Sequence, residues 1–281
     1  MPRPLNRTPA DSQRGIVLPA VLWLVLVLSL VASMVLRLEA SERKLAAREA
    51  AAARARAAAD AVIAMSVAAV AAHDANLPLD GSWNPVSFDG ITVDVSVQDE
   101  LGKLDLNAAP AEALRAFFIG LSIDPTRAAA LADAVADWRD EDDLRRLNGA
   151  ERDDYARAGL AYGPRNAPLE SVAEFGQVLG VDRETLERSL PYLTVLSHRP
   201  MPDGATAPDL LRRALHLPGP LPTNGAGGRH RISAASVPDL TGRAFTVIAR
   251  ARNSGTTWTE RRATIRFVDN GTARPWIHEW R

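Results

Sequence analysis

From Ile16 to Leu36 the chain carries apolar and small side chains without a single charge. A helix over such a run is about 30 Å long, the thickness of a bilayer's hydrocarbon core. A buried core helix of a soluble protein would show a polar face over this length. From Leu38 to Ala72 the pattern changes to alanine with scattered charge, and neither proline nor glycine interrupts it. Alanine is the strongest helix former, so the two stretches predict one continuous helix. Its second half should be amphipathic, with Val62, Met65 and Val70 as candidates for a sheet-facing side.

Asn76 to Gly90 is rich in turn residues, including Pro78, Gly81 and Pro85, and predicts a loop. Ile91 to Val97 alternates apolar and polar positions, the signature of a half-buried strand. Asp99 to Asp105, around Gly102, predicts a hairpin into a second short strand. The character then turns helical. Helices are predicted from Pro110, from Pro125 to Trp138, near Ala150 to Ala158, over Leu169 to Val178, and from an Asp182 N-cap to Leu190. Leu131, Val135 and Trp138 form an apolar stripe, so Trp138 reads as core. Pro200 to Gly228 is dense in proline and glycine and predicts a linker. Ala244 to Ala251 and Arg261 to Val268 read as strands around an Asn253-Ser254-Gly255 turn, with a final strand over Trp276 to Trp280.

The pattern therefore predicts an α+β fold: a long N-terminal helix packed on an antiparallel sheet, with a large all-helical domain inserted in that sheet. The divisions are a charged segment over 1–15, a membrane part over 16–36, helix and first strands over 37–105, the helical domain over 106–200, a Pro/Gly-rich linker over 201–235, and completing strands over 236–281.

Charge and composition narrow the function. Lys and Arg number 33 against 34 Asp and Glu, which argues against a dedicated nucleic-acid binder. Gly102 to Asp137 resembles a helix-hairpin-helix module, but its hairpin, Gly120 to Pro125, has one glycine and an aspartate where phosphate contact needs exposed N–H groups. There is no cysteine, hence no disulfide and no zinc-thiolate site. The histidines are scattered, and no nucleophile elbow, Walker A or dinucleotide fingerprint is present, so no enzyme is expected.

One cluster does suggest chemistry. Asp140, Asp142 and Asp143 follow a helix, and Glu151 comes after them. With Asp140 in first position, Asp142 is third and Glu151 twelfth, the carboxylate spacing of an EF-hand loop. The sixth position is Arg145 instead of glycine, and the fifth is Leu144, so this is no EF-hand but a carboxylate loop of similar reach. Hard oxygen donors on a loop suit Ca²⁺. The competing reading is a solvated acidic turn with Arg139, Arg145 and Arg146 as counter-charges. Asp137 and Asp154 are within reach of the loop, although Asp137 could face solvent on its helix.

Arg3, Arg7 and Arg14 precede the apolar run against a lone Asp11, which favours a cytoplasmic N-terminus and places all that follows Leu36 across the membrane. Gln13-Arg14-Gly15-Ile16 at the junction resembles a prepilin leader. Further along stand Gly102-Lys103-Leu104-Asp105-Leu106-Asn107, Leu131 to Asp140, Asn148-Gly149-Ala150-Glu151, Pro164-Arg165-Asn166-Ala167-Pro168 and Pro191-Tyr192-Leu193-Thr194-Val195. In order and spacing these resemble the minor pseudopilin K (GspK) family of type II secretion systems, over nearly the whole chain. The resemblance implies a type IV pilin-like fold, cleavage after Gly15 and N-methylation of Ile16 by prepilin peptidase, and a single-pass inner-membrane protein with a periplasmic C-terminal domain. It also implies a tip complex with minor pseudopilins I and J, contact with other pseudopilins, and a calcium site in the inserted domain. At the fifth mature position most pilins carry glutamate; here it is Ala20, a departure shared with tip-located pseudopilin K. A minor pilin-like protein of a type IV pilus or competence system is the alternative.

Overall fold

The computed structural model describes residues 17–74, 76–219, 240–252, 258–268 and 275–280. The leader, Gly15, Ile16, residues 220–239 and the 253–255 turn lie outside the described residues. Helix α1, Val17–Ala71, is 55 residues long and unbroken, as its alanine content and lack of glycine require. Pro19 falls in its first turn, where a missing N–H costs nothing. The helix stops in a Schellman motif: His73 takes a positive φ of 55°, Asp74 N donates to Ala69 O (3.0 Å), and His73 N donates to Val70 O (3.0 Å). The chain separates into two compact units at Arg54, and the rest of the fold lies in the second.

Strands β1 (Asp80–Phe88) and β2 (Ile91–Asp99) form an antiparallel hairpin closed by Asp89-Gly90, both at positive φ, as a type I′ turn demands. A short 3-10 turn, Glu100–Gly102, leads to β3 (Leu104–Asp105). Then come α2 (Ala111–Gly120), α3 (Pro125–Arg139), α4 (Arg152–Arg157), a 3-10 segment Val172–Gln177, α5 (Arg183–Ser189), β4 (Leu193–Thr194) and α6 (Asp209–Ala214). Strands β5 (Ala244–Arg252), β6 (Trp258–Phe267) and β7 (Pro275–Trp280) finish the chain. The five-stranded sheet has the order β1-β2-β5-β6-β7, all neighbours antiparallel. The helical block leaves after β2 and returns before β5, two adjacent strands, so it is an insertion in the sheet.

Two separate apolar cores result. In one, Ala55, Ala58, Ala59, Val62, Ile63 and Val70 of α1 cover Val93, Val95, Val97, Phe245, Val247 and Ile265 of the sheet. In the other, Leu104, Leu106, Leu114, Phe117, Phe118, Leu131, Val135, Trp138, Tyr155, Phe175, Leu193 and Leu211 pack together, with the Phe118 and Phe175 rings stacked at 5.9 Å.

Four local expectations change. Asp80–Phe88 is a strand, although its composition reads as loop; it is an edge strand, where Pro85 is tolerated. Asp99 to Asp105 makes no hairpin: β3 pairs in parallel with β4, Leu104 opposite Leu193. Met65 is 52% exposed, because the buried face of α1 runs through Val62, Ile63 and Val70. The stretch 201–219, read from composition as the start of a linker, is folded here: Thr206, Ala207 and Leu211 are buried, and Asp203 N donates to Leu101 O (2.7 Å). Backbone at Thr206 lies so close to Gly102 that any side chain there would collide with it.

Candidate functional site

The acidic loop grows out of the C-terminal end of α3. Asp124 caps the start of that helix, accepting from Thr126 N (2.9 Å) and Arg127 N (3.2 Å), with Pro125 at its first position. Helical spacing places Asp133, Asp137 and Asp140 along successive turns toward the loop. The loop folds back on them. Asn148 donates to Asp133 Oδ2 from its main-chain N (3.1 Å) and from Nδ2 (3.0 Å). Gly149 lies directly against the Asp137 carboxylate, where a Cβ would run into it. Arg146 N donates to Asp137 Oδ2 (3.2 Å), and Arg146 Nη1 bridges Asp137 Oδ1 (2.8 Å) and Asp140 Oδ2.

Of the four carboxylates expected to bind metal, the structure sets Asp140 and Glu151 apart. Asp140 Oδ1 and both Glu151 carboxylate oxygens are buried without a hydrogen-bond partner. Glu151 sits just before α4, its main-chain N–H donating to Asp154 Oδ2 (2.9 Å). Its side chain stays buried; burial first, and then the charges of Asp137, Asp140, Asp143 and Asp142, push its carboxyl up to about 7. All four aspartates thus act electrically on one buried glutamate. Asp142 and Asp143 have local roles: Asp142 Oδ1 accepts from Leu144 N (2.8 Å), and Asp143 Oδ1 accepts from Asn166 Nδ2 (2.9 Å).

Asp137 does not face solvent. Its side chain is wholly buried, and burial raises its carboxyl against the opposing pull of Arg146. Asn166 is a site residue that the acidic spacing misses. It takes a positive φ of 53°, donates from its main chain to Trp138 O (3.0 Å), and leaves its buried side-chain oxygen unpartnered. The Pro164-to-Pro168 run is its only trace in the sequence. Asp154 caps α4 through Glu151 N and pairs its other oxygen with Arg157 (2.6 Å) and Arg145 (3.5 Å). Arg139 makes its hydrogen bonds to the Leu106 and Ala109 carbonyls, while its charge still acts on Asp140. Trp138 is core, with its Nε1 donating to Glu174 Oε1 (3.0 Å).

The four unpartnered oxygens of Asp140, Glu151 and Asn166 are hard donors of the kind calcium takes. As the side chains stand, no group of three or more acidic or histidine side chains among the described residues is gathered at metal-ligating distances. Arg146 occupies the gap between two of them.

A long N-terminal helix runs onto an antiparallel sheet, with a helical block inserted between two neighbouring strands. The same fold occurs in a chain of the solved GspK–GspI–GspJ complex of enterotoxigenic Escherichia coli, with a TM-score of 0.57 and 16% identity over 85% of this chain and 98% of that one. Residues 95–198 match the family model described as type II secretion system (T2SS), protein K. The chain is 38% identical over 86 residues to type II secretion system protein K of Dickeya chrysanthemi. It is 35% identical over 88 residues to the Klebsiella pneumoniae protein of the same description. Each match covers 31% of this chain, but only 23% and 27% of those relatives.

Proposed function

We propose that this chain is a minor pseudopilin of a type II secretion system, acting at the tip of the periplasmic pseudopilus that drives export of folded proteins. One observation carries the reading. A helix long and apolar enough to cross a membrane continues, without a break, into the helix that covers the sheet, and that sheet holds a protein K block. In such a subunit the apolar half of α1 anchors the chain in the inner membrane before assembly, with the rest in the periplasm. The same half then packs against partner helices in the filament. Minor pseudopilins I and J are the proposed partners, supported by the complex in which the structural relative was solved. The helical block adds bulk that stops another subunit from docking above. The role is structural, with no reaction assigned to any residue.

The acidic loop is the proposed calcium site, held by Asp137, Asp140, Glu151 and Asn166, with Asp142 and Asp143 adding negative charge around it. Calcium, when bound, would supply the positive charge that those buried oxygens lack. Residue Gly149 brings the loop into contact with Asp137, and Asp133 ties down its far end through Asn148.

Intact-mass measurement and N-terminal sequencing of the chain from its native membrane test the processing step. The expected mature chain begins at a methylated Ile16. Co-elution of the full chain with minor pseudopilins I and J of the same organism tests the role. A chain beginning at Met1 that never co-elutes with them would overturn the proposal.

A further inference from the structure

The charges of Asp137, Asp140, Asp142 and Asp143 all bear on the buried Glu151 carboxyl. Among the described residues, only Arg146 hydrogen-bonds any of them with a guanidinium. Arg139 is committed to main-chain carbonyls, and Arg145 reaches only Asp154, at 3.5 Å. Arg146 satisfies one oxygen of Asp140 and leaves the other, with both oxygens of the 93%-buried Glu151, unanswered. A single positive charge at one edge of the cluster is a partial neutraliser.

We propose that Arg146 is the built-in competitor of this site: its guanidinium stands between Asp137 and Asp140 where a divalent cation would bind, and it must leave for the cation to enter. The inference rests on the calcium reading above. Calcium draws six to eight oxygens to about 2.3–2.6 Å, and a guanidinium held between Asp137 and Asp140 both obstructs and repels it there. Three features make the exchange feasible. The Arg146 side chain is 41% exposed, so it has solvent to swing into. The loop is tied independently of that side chain, through Arg146 N to Asp137 and through Asn148 to Asp133. Gly149 packs on Asp137 without any part of the Arg146 side chain. Arg146 would therefore hold the loop together in calcium-poor surroundings, and its release would set the calcium concentration at which the site fills.

The test is isothermal titration of CaCl₂ into the EDTA-stripped full chain in detergent, alongside thermal unfolding with EDTA and with excess calcium. Arg146→Gln should bind calcium about tenfold to a hundredfold more tightly than the unaltered chain, the range expected when a charged hydrogen-bonded competitor is removed. With EDTA it should melt lower, and with calcium its rise in melting temperature should exceed that of the unaltered chain. Arg146→Lys keeps a positive charge without the fork, so its affinity should fall between the two; it also serves if the glutamine variant does not fold. Arg145→Gln should bind as the unaltered chain does. Unchanged or weaker calcium binding in Arg146→Gln, with the unaltered chain binding normally, overturns the competitor role alone. No calcium binding by any of the chains overturns the calcium reading with it.

Discussion

Glu151→Gln offers the clearest reading of the site's energetics. In the metal-free chain the Glu151 carboxyl is held near 7 against an ordinary 4.5, because burial and four neighbouring aspartates disfavour its charge. A carboxyl raised in the folded state keeps its proton there while the unfolded chain loses it. Its favourable contribution is therefore complete below about pH 4.5 and is lost as pH rises through about 7. At about 1.36 kcal/mol per unit, forcing ionisation at pH 8 costs roughly 3 kcal/mol. A glutamine amide has the same shape as the carboxylate and no charge, so the variant escapes this cost. The expected result, in EDTA at pH 8, is a full chain more stable by up to about 3 kcal/mol, or roughly 5–10 °C in melting temperature. At pH 4.5 the two chains should unfold alike. On the proposed calcium site the order should reverse with excess calcium at pH 8, since the cation would stabilise the unaltered chain and the variant would lack one charged ligand. The assay is thermal unfolding in detergent across pH 4.5 to 8. If the stability difference between the chains is independent of pH, the assigned electrostatic cost is wrong.

Other substitutions probe the frame around the site. Gly149→Ala would drive a methyl into the Asp137 carboxylate; we expect a loss of about 2–4 kcal/mol by chemical denaturation and no calcium-dependent shift in melting. Asp105 accepts from Asn107 N (2.8 Å), Ala108 N (3.2 Å), Ser197 Oγ (3.0 Å) and His198 N (2.7 Å). Asp105→Ala orphans all four donors and should cost about 3 kcal/mol or more, with Asp105→Asn recovering part, both read by denaturant melts. Arg243 pairs with the wholly buried Asp99 across β5 and β2; Arg243→Ala should cost about 3–5 kcal/mol in a urea melt at pH 8. Burial already raises the Asp99 carboxyl, so that loss should shrink toward pH 5 as the uncompensated charge takes up a proton.

Elements with a strong period are legible in the sequence. The alanine-rich helix, the alternation of Ile91 to Val97, the Asp182 cap and the strands after residue 243 all show it, because local propensity and burial agree there. Asp182 does accept from Thr185 N (2.7 Å) at the start of α5. Where they disagree, reading fails for identifiable reasons. Strand β1 is an edge, so Gly81 and Pro85 carry no ladder penalty on one side and disguise it as loop. The sheet-facing side of α1 is largely alanine, which offers little contrast, so Met65 looks a better core residue than Ala58 or Ala59. The span Val172–Gln177 is a 3-10 segment where the pattern predicts a helix over Leu169 to Val178, with only Phe175 of it fully buried. In the site, the spacing of Asp140 and Glu151 is visible, but Asp137 and Asn166 enter through tertiary folding. Spacing along the chain carries no sign of which arginine turns inward: Arg139 and Arg146 look alike in sequence, and one binds carbonyls while the other binds carboxylates.

The position of the helical block explains how one chain can carry both a pilin-like sheet and a large head. Strands β2 and β5 are hydrogen-bonded neighbours, with Asp99 opposite Phe245 at the point where the block departs and returns. A long excursion between them is cheap in closure entropy, since each doubling of loop length adds only about 0.6 kcal/mol. What the excursion needs is a way to bring its own ends together. Parallel pairing of β3 with β4 does this, with Asp105 receiving donors from both sides of the clasp. A second closure follows, where Gln98 Nε2 donates to Thr206 O (3.1 Å) and Asp203 N to Leu101 O. The block thus holds its own apolar core and shares few side chains with the core under α1. Substitutions in one core should then add to those in the other, as expected for sites with no shared partners. This separation lets the helical block gain bulk and a charged loop while the helix-bearing sheet keeps its packing unchanged.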